Sequence, residues 1–148
     1  MKGFSTRDYK REDYNAVQNI WIQTGMGGAE RGDNADTIDD SIKIGGRMIL
    51  LYNNGTGEII GTSWMTFDGR RIHLHHFGIL PGFQGKGLSK ILLQASLKHV
   101  KEKGYQVKLE VHNTNIKAIN LYSKNGFDYL GDYDVYIIRK PDKINKQA

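Results

Sequence analysis

Between residues 79 and 89 the chain reads Ile-Leu-Pro-Gly-Phe-Gln-Gly-Lys-Gly-Leu-Ser, an apolar strand end broken by Pro81 and carried through three glycines into an amphipathic helix. The strand must stop, the chain must turn through conformations that glycine adopts without steric cost, and the new helix begins with N–H groups that have no carbonyl to bond. Those orphan donors, with the positive end of the helix dipole behind them, make a seat for an anion of pyrophosphate size. The helix is legible in apolar residues at 88, 91, 92 and 95, joined by Leu93, Leu97 and Val100, and in Gly104, which closes it.

Two familiar nucleotide turns do not fit. A Walker loop needs Ser or Thr after Gly-Lys and a glycine five positions before the first, whereas here Gly87 follows Lys86 and Leu80 stands five before Gly85. A dinucleotide fingerprint counted from Gly85 and Gly87 needs a small residue where Lys90 stands, and a strand–helix–strand start that the preceding sequence lacks.

What precedes the turn reads as a meander. Phe4 starts a short strand, and Tyr14, Val17, Ile20 and Trp21 fall at helical spacing. Glycines 25, 27, 28 and 32 mark a loop, after which Thr37 is expected to cap a short helix through Ile42. Strands are expected over 48–52, 58–67 and 71–80, joined by turns at Asn53–Gly57 and Asp68-Gly69. Beyond the long helix, 106–111 reads as a buried strand, Asn113 or Thr114 as the next helix cap, and Gly126-Phe127 as its stop. Residues 129–139 read as a last strand or strand pair. The order predicts an α/β fold in a single domain over 1–148, with residues 140–148 a frayed basic tail.

Composition narrows the function classes. A chain of 148 residues with 39% hydrophobic and 25% charged positions can bury a core, so disorder is a poor account of it. It has no cysteine, which removes disulfides, thiolate metal sites and a cysteine nucleophile. The net charge is +5, but Arg139, Lys140, Lys143 and Lys146 against Asp142 supply most of it, so no basic stripe argues for nucleic acid. No long apolar run and no leader-like start are visible, and the chain is expected to be cytoplasmic, away from membranes.

The strand, Gln84-Gly85-Lys86-Gly87 and helix together resemble the Gln/Arg-x-x-Gly-x-Gly/Ala signature of the GNAT superfamily of N-acetyltransferases. The likeness extends through Phe4 with Asp13, Gly57-Glu58-Ile59-Ile60-Gly61, and Asn115-Ile116-Lys117-Ala118-Ile119-Asn120-Leu121-Tyr122 ending in Gly126-Phe127. Ser89 departs from it, standing where the family has Gly or Ala. The resemblance implies a mixed, mostly antiparallel sheet with helices on both faces, splayed between strands 71–80 and 106–111. It implies that acetyl-coenzyme A enters that splay, its pyrophosphate on main-chain amides of Gln84, Gly85, Lys86, Gly87, Leu88 and Ser89, and its pantetheine arm beside Ile79 and Leu80. Asn115 is implied as a further coenzyme contact, and the family allows a homodimer for which no residue here argues.

Transfer of an acetyl group to a primary amine needs a proton acceptor, oxyanion donors and an acid for the leaving thiolate, with no covalent nucleophile. The resemblance assigns the acid to Tyr122. For the base it offers Glu110, as in members that acetylate protein N-termini, and His73 with His75, as in arylalkylamine acetyltransferases. Histidine accepts protons near neutrality, and period two puts His73 and His75 on the face of Phe77 and Ile79, with His76 opposite. Three histidines in four residues also suggest a metal, but the spacing completes no ligand set and none is expected. Trp21, Trp64 and Phe67 could line an acceptor pocket or the core, and Glu30, Asp33, Asp36, Asp39 and Asp40 could attract a cationic amine or face solvent. Two other readings stay open: a non-catalytic acyl-coenzyme A sensor, and nucleic-acid binding through the tail.

Overall fold

A computed structural model describes residues 2–28 and 31–145. Met1, Glu30 of the acidic loop and Lys146 of the tail therefore lie outside the described residues. The chain divides into two compact units, Met1–Glu110 and Val111–Ala148.

The first unit holds one five-stranded sheet in the order β1 (Phe4–Asp8), β2 (Arg47–Asn53), β3 (Ile59–Phe67), β4 (Arg71–Ile79), β5 (Gln106–Leu109). Its first four strands pair antiparallel, and β5 returns parallel to β4 after helix α3 (Leu88–Lys103). Polar side chains set both hairpins. Asn53 Oδ1 accepts from the Gly55 and Thr56 N–H groups, and Asp68 Oδ1 accepts from those of Arg70 and Arg71.

Alternation along β3 settles the layers. Thr62 and Trp64 point to one face, where they accept from Trp21 of α1 (Tyr14–Thr24) at 3.0 Å and donate to Ser41 of α2 (Ala35–Lys43) at 2.9 Å, respectively. Ser63, between them, meets Ser96 of α3 at 2.7 Å on the opposite face. Helices thus cover both faces, and Leu50, Leu51, Ile60, Met65, Leu92 and Leu93 are fully buried. Helix α2 starts earlier than expected because Asn34, not Thr37, is its cap: Asn34 Oδ1 accepts from the Thr37 N–H at 2.9 Å.

Where β1 leaves the sheet, Arg7 clamps Asp13 with two bonds of 2.7 and 2.9 Å, and the Lys10 N–H adds a third at 2.9 Å. The Arg7 side chain and the Lys10 amide hold the Asp13 pKa below its usual value against the opposing effect of burial. Asp13→Ala leaves a half-covered guanidinium without its partner. Since Arg7 is 35% exposed, the expected loss is at the low end for buried pairs, about 2–3 kcal/mol. A carboxylate whose folded pKa is depressed stabilises fully above its unfolded pKa, and that stability is lost as pH falls through the folded value. Acid melts should therefore be shallower in the variant than in the parent chain.

The second unit is smaller. Helix α4 (Ile116–Lys124) is capped by Asn115, whose Oδ1 accepts from the Ala118 N–H at 3.2 Å; the cap expected at Asn113 or Thr114 falls one or two residues later. Its end is the expected stop: Gly126 has φ +95°, the Phe127 N–H bonds the Tyr122 carbonyl at 3.1 Å, and the two rings meet edge to face at 5.5 Å. The strand expected over 129–139 does not form, and Tyr129, Tyr133, Val135, Tyr136, Ile137 and Ile138 are exposed. Among the described residues no helix is long and apolar enough to cross a membrane.

Candidate functional site

The glycine turn has the geometry that its sequence demands. After β4 a single 3-10 turn, Pro81–Phe83, leads to Gly85 and Gly87, both at φ +77°, a left-handed conformation unfavourable to any residue with a Cβ. Gly87 is the N-cap of α3 and supplies no side chain to its first turn. Gln84 is tied back to the strand end: its N–H bonds the Pro81 carbonyl at 3.3 Å, and its side-chain amide donates to the Ile79 carbonyl at 2.9 Å. The Leu80 N–H bonds the Ile60 carbonyl at 2.8 Å. Free donors begin at Gly85, and among the described residues none of the N–H groups from Gly85 to Ser89 has a carbonyl partner.

Beside the turn the sheet opens. Strand β5 pairs with β4 only from Arg71–Gln106 to Leu74–Leu109, so the last five residues of β4 have no strand on that side within the first unit. The same stretch carries a bulge. On β3 two steps separate Thr62 from Trp64, while on β4 three separate their partners Gly78 and His75. The extra residue resets the faces. Gly78 now shares the side of Thr62, under Met26, so Ile79 turns to the side opposite His75 instead of sharing it.

His76 also departs from simple alternation. It has φ +43°, the sole positive value outside glycine among the described residues, and its ring lies 4.5 Å from that of Trp21 and 5.3 Å from that of Trp64. Its Nε2 lies 2.9 Å from Asp33 Oδ2, with side-chain exposures of 18% and 8%. The two other strand histidines are engaged differently. His75 Nε2 is 2.8 Å from the Thr66 hydroxyl, and desolvation followed by repulsion from His76 and His73 lowers its pKa to about 4. His73 lies 3.4 Å from Asp68, whose pKa is brought down to about 2 chiefly by the Arg71 and Arg70 N–H groups. Among the described residues no three His, Asp or Glu side chains gather as a metal shell.

Glu110 is exposed and follows the last residue of β5. In the second unit Tyr122 is buried, which pushes its pKa up to about 12, while the Asn115 side chain caps α4. Trp21 and Trp64 stack at 5.7 Å as core, and Phe67 packs on Tyr105. Arg11 neutralises Asp36 and Asp39 at 2.7 and 2.6 Å, and among the described residues of the acidic loop Asp33 alone pairs with a histidine. That pair escaped the sequence reading because its partner sits on a bulge that no alternation rule places.

The family model described as "Acetyltransferase (GNAT) family" matches residues 14–127. A mycothiol acetyltransferase of Propionibacterium freudenreichii is 30% identical over 98 residues, covering 63% of this chain and 31% of that protein. The chain spans about a third of the length of the curated relatives it matches. Among solved structures, the ribosomal-protein-S18-alanine N-acetyltransferase of Escherichia coli superposes with TM-score 0.72 at 20% identity, over 84% of this chain and 77% of that one. A predicted acetyltransferase of Clostridium acetobutylicum, solved with acetyl-CoA, superposes with TM-score 0.71 at 14% identity, over 90% and 96%. These structural likenesses carry the fold.

Proposed function

We propose that this chain, which belongs to the acetyltransferase (GNAT) family, transfers an acetyl group from acetyl-CoA to a primary amine by direct attack within a ternary complex. The observation that carries the proposal is the run of unpartnered N–H groups from Gly85 to Ser89 at the start of α3. Left-handed glycines with nothing within 4 Å of a Cβ at Gly85 leave room for a diphosphate to approach that backbone. The edge of β4 that β5 leaves uncovered within the first unit, leading to Ile79 and Leu80, suits the amides of a pantetheine arm, which need main-chain partners. Gln84 shapes this seat through its bonds to Pro81 and Ile79, and Lys86 adds a cation.

Acetyl-CoA, when bound, supplies the thioester. Tyr122 is assigned to protonate the leaving thiolate; with a pKa near 12 it keeps its proton at neutral pH. Asn115 is assigned to the coenzyme through the donors of its side chain, since its carbonyl oxygen caps α4. Glu110, His73 and His75 are the family's candidates for the base. The names of the relatives put both a small metabolite and a protein amino terminus among acceptors worth testing. The same reading assigns the enzyme to the cytoplasm, where a chain without cysteine needs no oxidising compartment.

The test is calorimetry with coenzyme A, followed by acetyl-CoA consumption over small amines and peptide amino termini. Saturable heat and turnover on at least one acceptor are expected. Heat without turnover on any acceptor would make the chain a sensor of acyl-coenzyme A, and no heat would remove both readings.

A further inference from the structure

We propose that His76, held by Asp33, takes the proton from the attacking amine, an inference that rests on the transferase reading above. The backbone first singles it out. A histidine at φ +43° costs on the order of 1–3 kcal/mol and persists only where its surroundings impose it. Here they do: the Thr62 hydroxyl donates to the His76 carbonyl at 2.7 Å while accepting from Trp21 Nε1 at 3.0 Å, and the ring rests against Trp21 and Trp64.

The second feature is the tautomer. A buried carboxylate 2.9 Å from Nε2 requires a proton there, so the neutral ring presents its lone pair at Nδ1. Among the described residues the His76 ring bonds through Nε2, no hydrogen bond to its Nδ1 is formed, and 18% of the side chain stays exposed. Asp33 is placed for this contact by glycines. The Gly28 carbonyl accepts from its N–H at 3.2 Å, and a Cβ at Gly27 would stand 3.0 Å from Trp21, 3.1 Å from the Asp33 carboxylate and 3.4 Å from His76.

The third feature is reach. His76 lies on β4 beyond the residues that β5 pairs, four residues before Leu80, roughly 13 Å at the usual strand rise. A pantetheine arm has about the backbone atoms of four residues, roughly 14 Å when extended, so an arm running back along β4 brings its sulfur to the bulge. His73 and His75 are less suited, the first turned to Asp68 and the second held to Thr66 with its basicity reduced.

As the amine nitrogen bonds to the acetyl carbon and the carbon–sulfur bond breaks, the amine proton passes to Nδ1. Asp33 neutralises the resulting imidazolium. The thiolate takes its proton from the acid, Tyr122 in this reading, and exchange with water restores both groups.

The experiment compares the parent chain with His76→Gln, which keeps an N–H for Asp33 but accepts no proton, and His76→Gly, which the positive φ favours. Both are expected to bind coenzyme A within about twofold of the parent and to lose kcat by about 10²–10⁴-fold, with added imidazole restoring part of the rate in His76→Gly. Peptide-resolved mass spectrometry should also show slower carbethoxylation of His76 in the parent chain once acetyl-CoA is added. Unchanged kcat in His76→Gln, a His76→Gly variant that imidazole does not restore, or equal labelling with and without acetyl-CoA would each overturn this assignment alone. A parent chain that binds coenzyme A and turns over no acceptor would overturn the transferase reading with it.

Discussion

Gly87→Glu is expected to abolish coenzyme A binding, with calorimetry showing no heat where the parent chain saturates. Two effects combine at this position. The residue sits at φ +77°, so any side chain carries left-handed strain of about 1–2 kcal/mol. Glutamate also brings an anion to the place where free N–H groups and the α3 dipole would otherwise meet a diphosphate. A carboxylate about 4 Å from one phosphate charge, at the effective dielectric of a protein surface, opposes binding by about 4 kcal/mol, or roughly 10³-fold in affinity. Gly87→Ala separates the two: it shares the strain and lowers the melting temperature to a similar degree, yet retains most of the binding. Equal loss of affinity in both variants would assign the effect to backbone distortion and leave the anion seat without support.

The legible parts of this molecule are those whose causes are local. Apolar spacing from 88 to 100 fixes α3, glycine at 104 ends it, and Asn53 and Asp68 fix the hairpins through bonds to residues two and three positions away. The anion seat belongs to the same class, since left-handed glycines and a helix start are properties of eleven consecutive residues. The caps of α2 and α4 shifted by a few positions because several neighbouring residues could cap, and backbone geometry chose Asn34 and Asn115. The bulge at His76 was not legible. It depends on register between β3 and β4, and one extra residue reverses every side-chain direction after it. Nor could 129–139 be decided from its alternating apolar residues, because strand propensity expresses packing and pairing context more than an intrinsic backbone preference.

Removing one oxygen from Tyr122 is expected to have the second large effect. Tyr122→Phe keeps the ring that packs on Phe127 and the C-terminal turn of α4, so the melting temperature at neutral pH should move by no more than about 1 kcal/mol warrants. If the hydroxyl protonates the leaving thiolate, kcat falls by about 10²-fold or more while coenzyme A affinity stays. Burial adds a check that is independent of activity. The folded pKa is pushed up to about 12, from 10 when exposed, so the unfolded chain gives up this proton first as pH rises. The stabilisation is complete below about pH 10 and is lost on the way to pH 12. Tyr9, likewise raised to about 12 by burial, remains in both chains and contributes equally. Alkaline unfolding should therefore be steeper in the parent than in Tyr122→Phe. Steeper alkaline unfolding with kcat unchanged would show a buried structural tyrosine and move the acid's role to another group.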